Sequence, residues 1–412
     1  MMKSEIELTM QALVYGGDAM GRMEDGRAVF VPFALNGELV RIRLTEEKPR
    51  YCRGEIIEVL RPSMDRIQPR CRHFSMCGGC HYQHLSYEKQ LEVKTAVVVE
   101  QFKRLAGMEK PPVNPIVPSP NAWNYRNAVQ FHLSPTGKMA FQRASSHELV
   151  EVDECFLPEN GLDEVWRKVE IDPQSGLERV EFRQGSDGEI LLNLEGDDAV
   201  PPEMETDLPI SMVYLGSEKP YVMSGEESVV MEVKNRLFRC SAGSFFQVNL
   251  PQAENLVNHV LQKLGFKGDE TLLDVYCGVG LFSAFAAPNV SRCIGIELSP
   301  WAVNDFAANL DEFDNVEIYQ AAVEDVLPQL PVEPDVAIID PPRSGLHPRV
   351  VDTLLDKKPE KLVYVSCDPA TLARDVRRLL EGGYNLEEIQ PFDMFPQTYH
   401  VETVVLMSRK DK

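Results

Sequence analysis

Apolar and polar residues alternate through EIELTMQAL, RAVFVPFAL, NGELVRIRLTEE and RGEIIEVL, with the turn-rich stretch YGGDAMGRMEDG after the first run. A period of two, cut by Gly, Asp and Asn, predicts short strands joined by tight turns, here a small β-barrel over residues 1–60. The Pro-containing segment RPSMDRIQP (61–69) ends it, and apolar positions at helical spacing predict a helix over roughly 85–106. After a Pro-rich break at 111–120, residues 121–235 return to short strand-like runs such as YRNAVQFHL, EILLNL and SVVMEV. The pattern alone does not set how these runs pair.

From about residue 236 the period changes again. A helix (251–264) leads into strand TLLDVY (271–276), and strands and helices then alternate through RCIGIEL, NVEIYQA, PDVAIID and KLVYVSC. Two strands, around 384–395 and 400–409, close the series. This alternation predicts a doubly wound parallel sheet with a terminal antiparallel strand. The chain is read as an α/β protein in three parts: the barrel (1–60), a strand-rich central region (61–235) and a Rossmann-like domain (236–412).

Composition narrows the class. The 412 residues are 43% hydrophobic and 26% charged, as in a soluble globular protein. No run is long and apolar enough to span a bilayer, and the N-terminus lacks the apolar core of a signal peptide, so a cytoplasmic protein is expected. Nine cysteines in that setting are sorted into ligands, nucleophile and inert core, and not into disulfides. A net charge of −22 argues against nonspecific nucleic-acid binding, but residues 41–73 hold nine Lys/Arg against five acids. Arg41, Arg43, Arg50 and Arg53 are the candidates for a local RNA-contacting face.

Three stretches carry chemistry. In DVYCGVGLFS (274–283), Asp274, Gly278 and Gly280 mark a tight strand-to-helix turn, with Ser283 where a dinucleotide fingerprint has its third glycine. Glu297 ends the next strand, where a carboxylate binds the ribose hydroxyls of a nucleoside; this serves NAD or S-adenosylmethionine equally. IIDPPRSGL (338–346) ends the fourth strand in Asp340 and two prolines, which resembles the catalytic loop of class I S-adenosylmethionine methyltransferases. Cys367 sits at the end of KLVYV, before a helix whose N-terminal dipole is expected to lower its pKa. Glu402 stands in a Val-rich strand, an odd place for an unpaired charge. A thiol and a carboxylate beside a methyl-donor site suit carbon-5 methylation of uracil. Adding the thiolate to carbon 6 makes carbon 5 nucleophilic, and a base then removes its proton.

Cys71, Cys77 and Cys80 are spaced C-x5-C-x2-C around Gly78-Gly79, so three thiolates can face one centre, iron–sulfur or zinc. Cys52, Cys240, Cys277 and Cys293 read as core or loop residues, and His73 and His81 as packing or surface residues.

GSFFQVN (243–249), DVYCGVG, IDPPRSGL, SCDPATLARD (366–375) and YHVET (399–403) occur in the order of the RNA uracil-5-methyltransferase family, and the chain resembles that family along nearly its whole length. The resemblance implies a TRAM-type, OB-like RNA-binding barrel. It implies a 4Fe–4S cluster on Cys71, Cys77, Cys80 and Cys155. It makes Cys367 the nucleophile, Glu402 the base, and Gln247, Tyr276, Glu297 and Asp340 the S-adenosylmethionine contacts. Leu281 stands where some members have an Asn that also contacts the cofactor. The implied substrate is structured RNA, 23S rRNA first and the tRNA T-loop second, methylated by a monomer. A non-catalytic iron–sulfur RNA-binding protein and a small-molecule methyltransferase are the competing readings.

Overall fold

The computed structural model describes residues 5–144, 146–217 and 220–410. Strands β1 (Glu5–Leu13), β2 (Ala19–Arg22), β3 (Ala28–Val31), β4 (Leu39–Glu47) and β5 (Tyr51–Arg61) close a barrel in the order β1-β2-β3-β5-β4. The alternation works as read: Met10, Val29, Val31, Val40, Ile42 and Leu44 turn inward. The outward residues differ from the expected cationic face. Register sets Glu7 and Glu58 on either side of Arg41, and Glu5 and Glu55 on either side of Arg43. Each arginine pairs with both of its flanking acids, and Arg53 pairs with Asp18 and Glu46. The outer face is a ladder of alternating charge.

Helix α1 (Tyr87–Leu105) starts at Ser86, whose hydroxyl accepts from the Lys89 N–H. Its apolar stripe, including Val98 and Phe102, packs into the core of the C-terminal sheet. Lys94 reaches the same sheet as a fully buried ion pair, donating to Asp393 at 2.5 Å and to the Phe395 carbonyl at 3.0 Å. Gln90 adds bonds to both the side chain and the backbone of Gln397. The segment Asp393–Gln397 is thus held from outside its own domain.

The central sheet comprises β6 (Ala128–Leu133), β7 (Met139–Gln142), β8 (Leu149–Glu151), β9 (Leu177–Gln184), β10 (Ile190–Gly196), β11 (Ile210–Leu215) and β12 (Tyr221–Ser224). Its order is β12-β11-β10-β9-β6-β7-β8, antiparallel except for β10 beside β11, with helix α2 (Asn160–Trp166) packed on it. A hairpin of β13 (Ser228–Val233) and β14 (Arg236–Ser241) straddles residue 235, and its Val229, Met231 and Phe238 belong to the core of the following domain.

Helix α3 (Leu250–Leu264) then leads into the C-terminal sheet. Its elements are β15 (Thr271–Val275), α4 (Leu281–Ala286), β16 (Arg292–Glu297), α5 (Pro300–Asn309), β17 (Val316–Gln320), α6 (Val323–Val326), β18 (Val336–Ile339), α7 (Pro348–Lys357), β19 (Lys361–Ser366), α8 (Pro369–Glu381), β20 (Tyr384–Phe392) and β21 (Glu402–Arg409). The strand order is β17-β16-β15-β18-β19-β21-β20. The antiparallel strand is β21, and it inserts between β19 and β20 instead of lying at the edge. Near-continuous apolar strands are what burial of both sheet faces requires, and two core clusters supply it. No helix among the described residues is long and apolar enough to cross a membrane.

Candidate active site

A cleft of about 1260 Å³ opens at the carboxyl ends of the parallel strands, the usual ligand position in an open α/β sheet. All six residues read as nucleophile, base and cofactor contacts line it: Gln247, Tyr276, Glu297, Asp340, Cys367 and Glu402. So do Arg126, Phe245, Arg343 and His400, which sequence reasoning did not single out.

The glycine turn follows β15. Tyr276 adopts φ +64°, a left-handed conformation that costs a non-glycine residue roughly 1–3 kcal/mol. Gly280 (φ +92°) admits no side chain, since a Cβ there would lie 2.5 Å from Leu310. Ser283 serves the strand before it. Its hydroxyl donates at 2.6 Å to buried Asp274, whose carboxyl burial lifts to about 6. The Glu297 carboxylate is oriented by the backbone N–H groups of Gly278, Leu298 and Ser299, at 3.1, 2.8 and 2.8 Å. Leu281 begins α4 and gives the cleft an apolar side chain.

Cys367 and Glu402 are brought together by strand register. Ser366 on β19 pairs with Thr403 on β21, so one further step along the antiparallel ladder sets Cys367 opposite Glu402. Asp340 follows β18 and is anchored by its N–H to the Val275 carbonyl at 3.1 Å. Burial and then Asp274 hold the Asp340 carboxyl above its ordinary range. Burial and then Asp340 hold Glu402 well above its own, with Arg343 opposing. The Cys367 thiol is pushed up to about 12, by burial first and then by Glu402, again with Arg343 opposing. This overturns the expected lowering by the dipole of α8: a partly buried thiol among three carboxylates feels desolvation and like charge more than a helix terminus.

Asp368 caps α8, accepting from the Ala370 and Thr371 N–H groups at 2.9 Å each. His400 lies against Tyr399, with ring centroids 4.1 Å apart, and Tyr399 in turn meets His81 at 4.6 Å. Phe245, 69% exposed, projects at the cleft.

The four cysteines read as ligands lie on two facing segments. Gly78 bonds the Gln142 carbonyl (2.9 Å), the Arg72 N–H bonds Glu154 (2.9 Å), and His73 bonds Asp153 (2.9 Å). Burial raises the Cys71, Cys77, Cys80 and Cys155 thiols, Cys77 to about 11 and Cys155 to about 12. Cys71 and Cys77 act as like charges on both Cys80 and Cys155, so the set shares one neighbourhood. Among the described residues, no three His, Cys, Asp or Glu side chains form a ready single-ion site. Cys52, Cys240, Cys277 and Cys293 are buried, as read.

A seven-stranded sheet in this order, with its cleft at the carboxyl ends and an Asp-Pro-Pro turn after β18, defines a class I S-adenosylmethionine-dependent methyltransferase. The profile of the tRNA (Uracil-5-)-methyltransferase family matches residues 214–330 and 332–410, and that of the TRAM domain matches residues 3–57. An uncharacterized RNA methyltransferase of Halalkalibacterium halodurans is 32% identical over 449 residues, covering 98% of this chain and 97% of the relative. A second, from Nostoc sp., is 34% identical over 445 residues, covering 98% and 96%. The crystal structure of Pyrococcus abyssi tRNA (uracil-54, C5)-methyltransferase in complex with S-adenosyl-L-homocysteine matches with a TM-score of 0.73 at 26% identity, covering 98% of this chain and 100% of that one. The chain belongs to the RNA uracil-5-methyltransferase family and is an S-adenosylmethionine-dependent RNA methyltransferase with an N-terminal TRAM barrel.

Proposed function

We propose that the protein methylates carbon 5 of one uridine in 23S rRNA through a covalent adduct to Cys367, with Glu402 as the base. The observation that carries this reading is the placement of a thiol and a carboxyl on adjacent strands, facing one cleft. Glu297 and Asp340, with Gln247 and Tyr276, would hold the donor, and a cleft this rich in carboxylates suits a cationic ligand. S-adenosylmethionine supplies an electrophilic methyl group on a sulfonium.

The chain's own residues do the rest. A stacked uracil must be flipped out, at a cost of a few kcal/mol, and Phe245 offers an exposed ring for the extruded base. Cys367 gives its proton to solvent and its sulfur bonds carbon 6, so the carbon 5–carbon 6 double bond opens, the ring carries an enolate and carbon 5 becomes nucleophilic. Arg343 is the cation that favours both the thiolate and the Glu402 carboxylate. Once carbon 5 is methylated, Glu402 takes its proton, the carbon 6–sulfur bond breaks and the double bond returns.

The barrel together with the thiol cluster favours 23S rRNA, by family resemblance. The structural similarity to a tRNA (uracil-54, C5)-methyltransferase favours the tRNA T-loop as the second reading. Transcripts of both RNAs labelled with tritium at uridine carbon 5 separate the two. Tritium release from 23S rRNA, dependent on S-adenosylmethionine, is expected, and release from tRNA alone would reassign the substrate. Release from neither RNA would remove the function.

Cys71, Cys77, Cys80 and Cys155 are proposed to hold a 4Fe–4S cluster. Four partly buried thiols, with Cys71 and Cys77 acting as like charges on both Cys80 and Cys155, support one shared thiolate centre, and the family resemblance makes that centre iron–sulfur. Protein purified without oxygen is expected to be brown, with bound iron and sulfide, and Cys77→Ser to lose the colour. Stoichiometric zinc with no sulfide would show the assignment to be wrong.

A further inference from the structure

The turn between β1 and β2 reaches from the barrel to the nucleophile. Tyr15, in that turn, donates its hydroxyl to Asp368 Oδ2 at 2.7 Å across 353 residues of sequence. Its ring meets Tyr399 edge-on, with centroids 5.7 Å apart. Gly17 (φ +91°) lets the same turn sit flush, since a Cβ there would be 3.3 Å from His81 and 3.4 Å from Tyr399.

The contact falls on the residue next to Cys367. Asp368 divides its carboxylate between two partners. Oδ1 caps α8, and Oδ2 takes only the Tyr15 hydroxyl among the described hydrogen bonds. Asp368 and Ser366 also bond each other across Cys367, at 3.1 and 3.2 Å. The thiol therefore sits in a short loop whose far side is pinned from the barrel. A phenol donating to a carboxylate is a charge-assisted bond, about twice as strong as a neutral one. It draws charge away from the thiol, which Asp368 otherwise pushes up, and burial together with Asp368 keeps the phenol protonated.

We propose that Tyr15 is a positioning residue for the Cys367 loop, so that the TRAM barrel acts in the chemical step and not only in holding RNA. The inference rests on the covalent reading given under Proposed function. It predicts that Tyr15→Phe, which keeps the ring packed on Tyr399 and removes only the hydroxyl, slows attack by the thiol.

RNA containing 5-fluorouridine reads addition and methyl transfer with elimination blocked. After sulfur bonds carbon 6 and carbon 5 accepts the methyl group, carbon 5 carries fluorine and no proton, so the adduct accumulates and can be read on a denaturing gel. At saturating RNA, Tyr15→Phe is expected to form adduct about tenfold more slowly, in line with loss of a hydrogen bond to a charged group. RNA affinity should stay at the wild-type value, and thermal unfolding should fall by no more than a few degrees, the cost of one hydrogen bond to a charged group. Adduct formation at the wild-type rate overturns the proposal. So does weakened RNA binding with an unchanged rate at saturation, which makes Tyr15 an RNA contact. Wild-type protein that forms no adduct removes the covalent reading itself and this inference with it.

Discussion

Cys367→Ala is expected to lower methylation by at least about 10⁴, the scale on which loss of a covalent nucleophile is felt. Carbon 5 of uracil has little nucleophilicity of its own, and Cys367 is one of two cysteines lining the cleft. Cys277, also in its wall, is buried, and burial with nearby carboxylates raises its thiol well above the ordinary value. The substitution removes one sulfur at the end of β19 and leaves Glu297, Asp340 and the glycine turn in place. Binding of S-adenosylmethionine, followed by calorimetry, should therefore match wild type while tritium release disappears. Turnover retained at the wild-type level would end the covalent mechanism.

Glu402→Gln is expected to separate the two halves of the reaction. Turnover should fall by roughly 10²–10⁴, the usual contribution of a general base. The adduct should persist, because the proton on carbon 5 has no acceptor and sulfur cannot leave. Addition itself should survive: Glu402 is the largest charged influence raising the Cys367 thiol, and a neutral amide removes it. A protein–RNA band should thus build up with ordinary uridine, with no need for fluorine. Normal release of methylated product without such a band would take the base role away from Glu402.

What was legible in the sequence is what depends on local period and strand ends. Alternation over residues 1–60 marked the barrel, and the change of period near 236 marked the doubly wound sheet. Cys367, Asp340 and Glu297 stood out because each ends a strand of that sheet, where the cleft forms. What depends on register or on distant packing was not legible. The arginines of β4 looked cationic until pairing set a glutamate on each side of Arg41 and Arg43. The rise in the Cys367 thiol needed knowledge of its burial and of Glu402 beside it. Arg343 was in view within the Asp-Pro-Pro-Arg run, and its charge was the available signal. The presence of Arg126 in the cleft wall and the contact of Tyr15 with Asp368 join segments far apart in the chain, which no local pattern encodes.

The insertion of β21 between β19 and β20 bears on how the enzyme is made. β20 precedes β21 in the chain, so a newly synthesised β20 has only the bridges to Val113 and Val117 beside it until β21 arrives. Before that, β19 presents an open edge, the kind of surface that recruits wrong partners. Entry of β21 satisfies both edges at once and delivers Glu402 opposite Cys367 in the same event. A chain with a donor cleft but a displaced last strand would be a folding intermediate without a base, so catalytic competence should appear in one step late in folding.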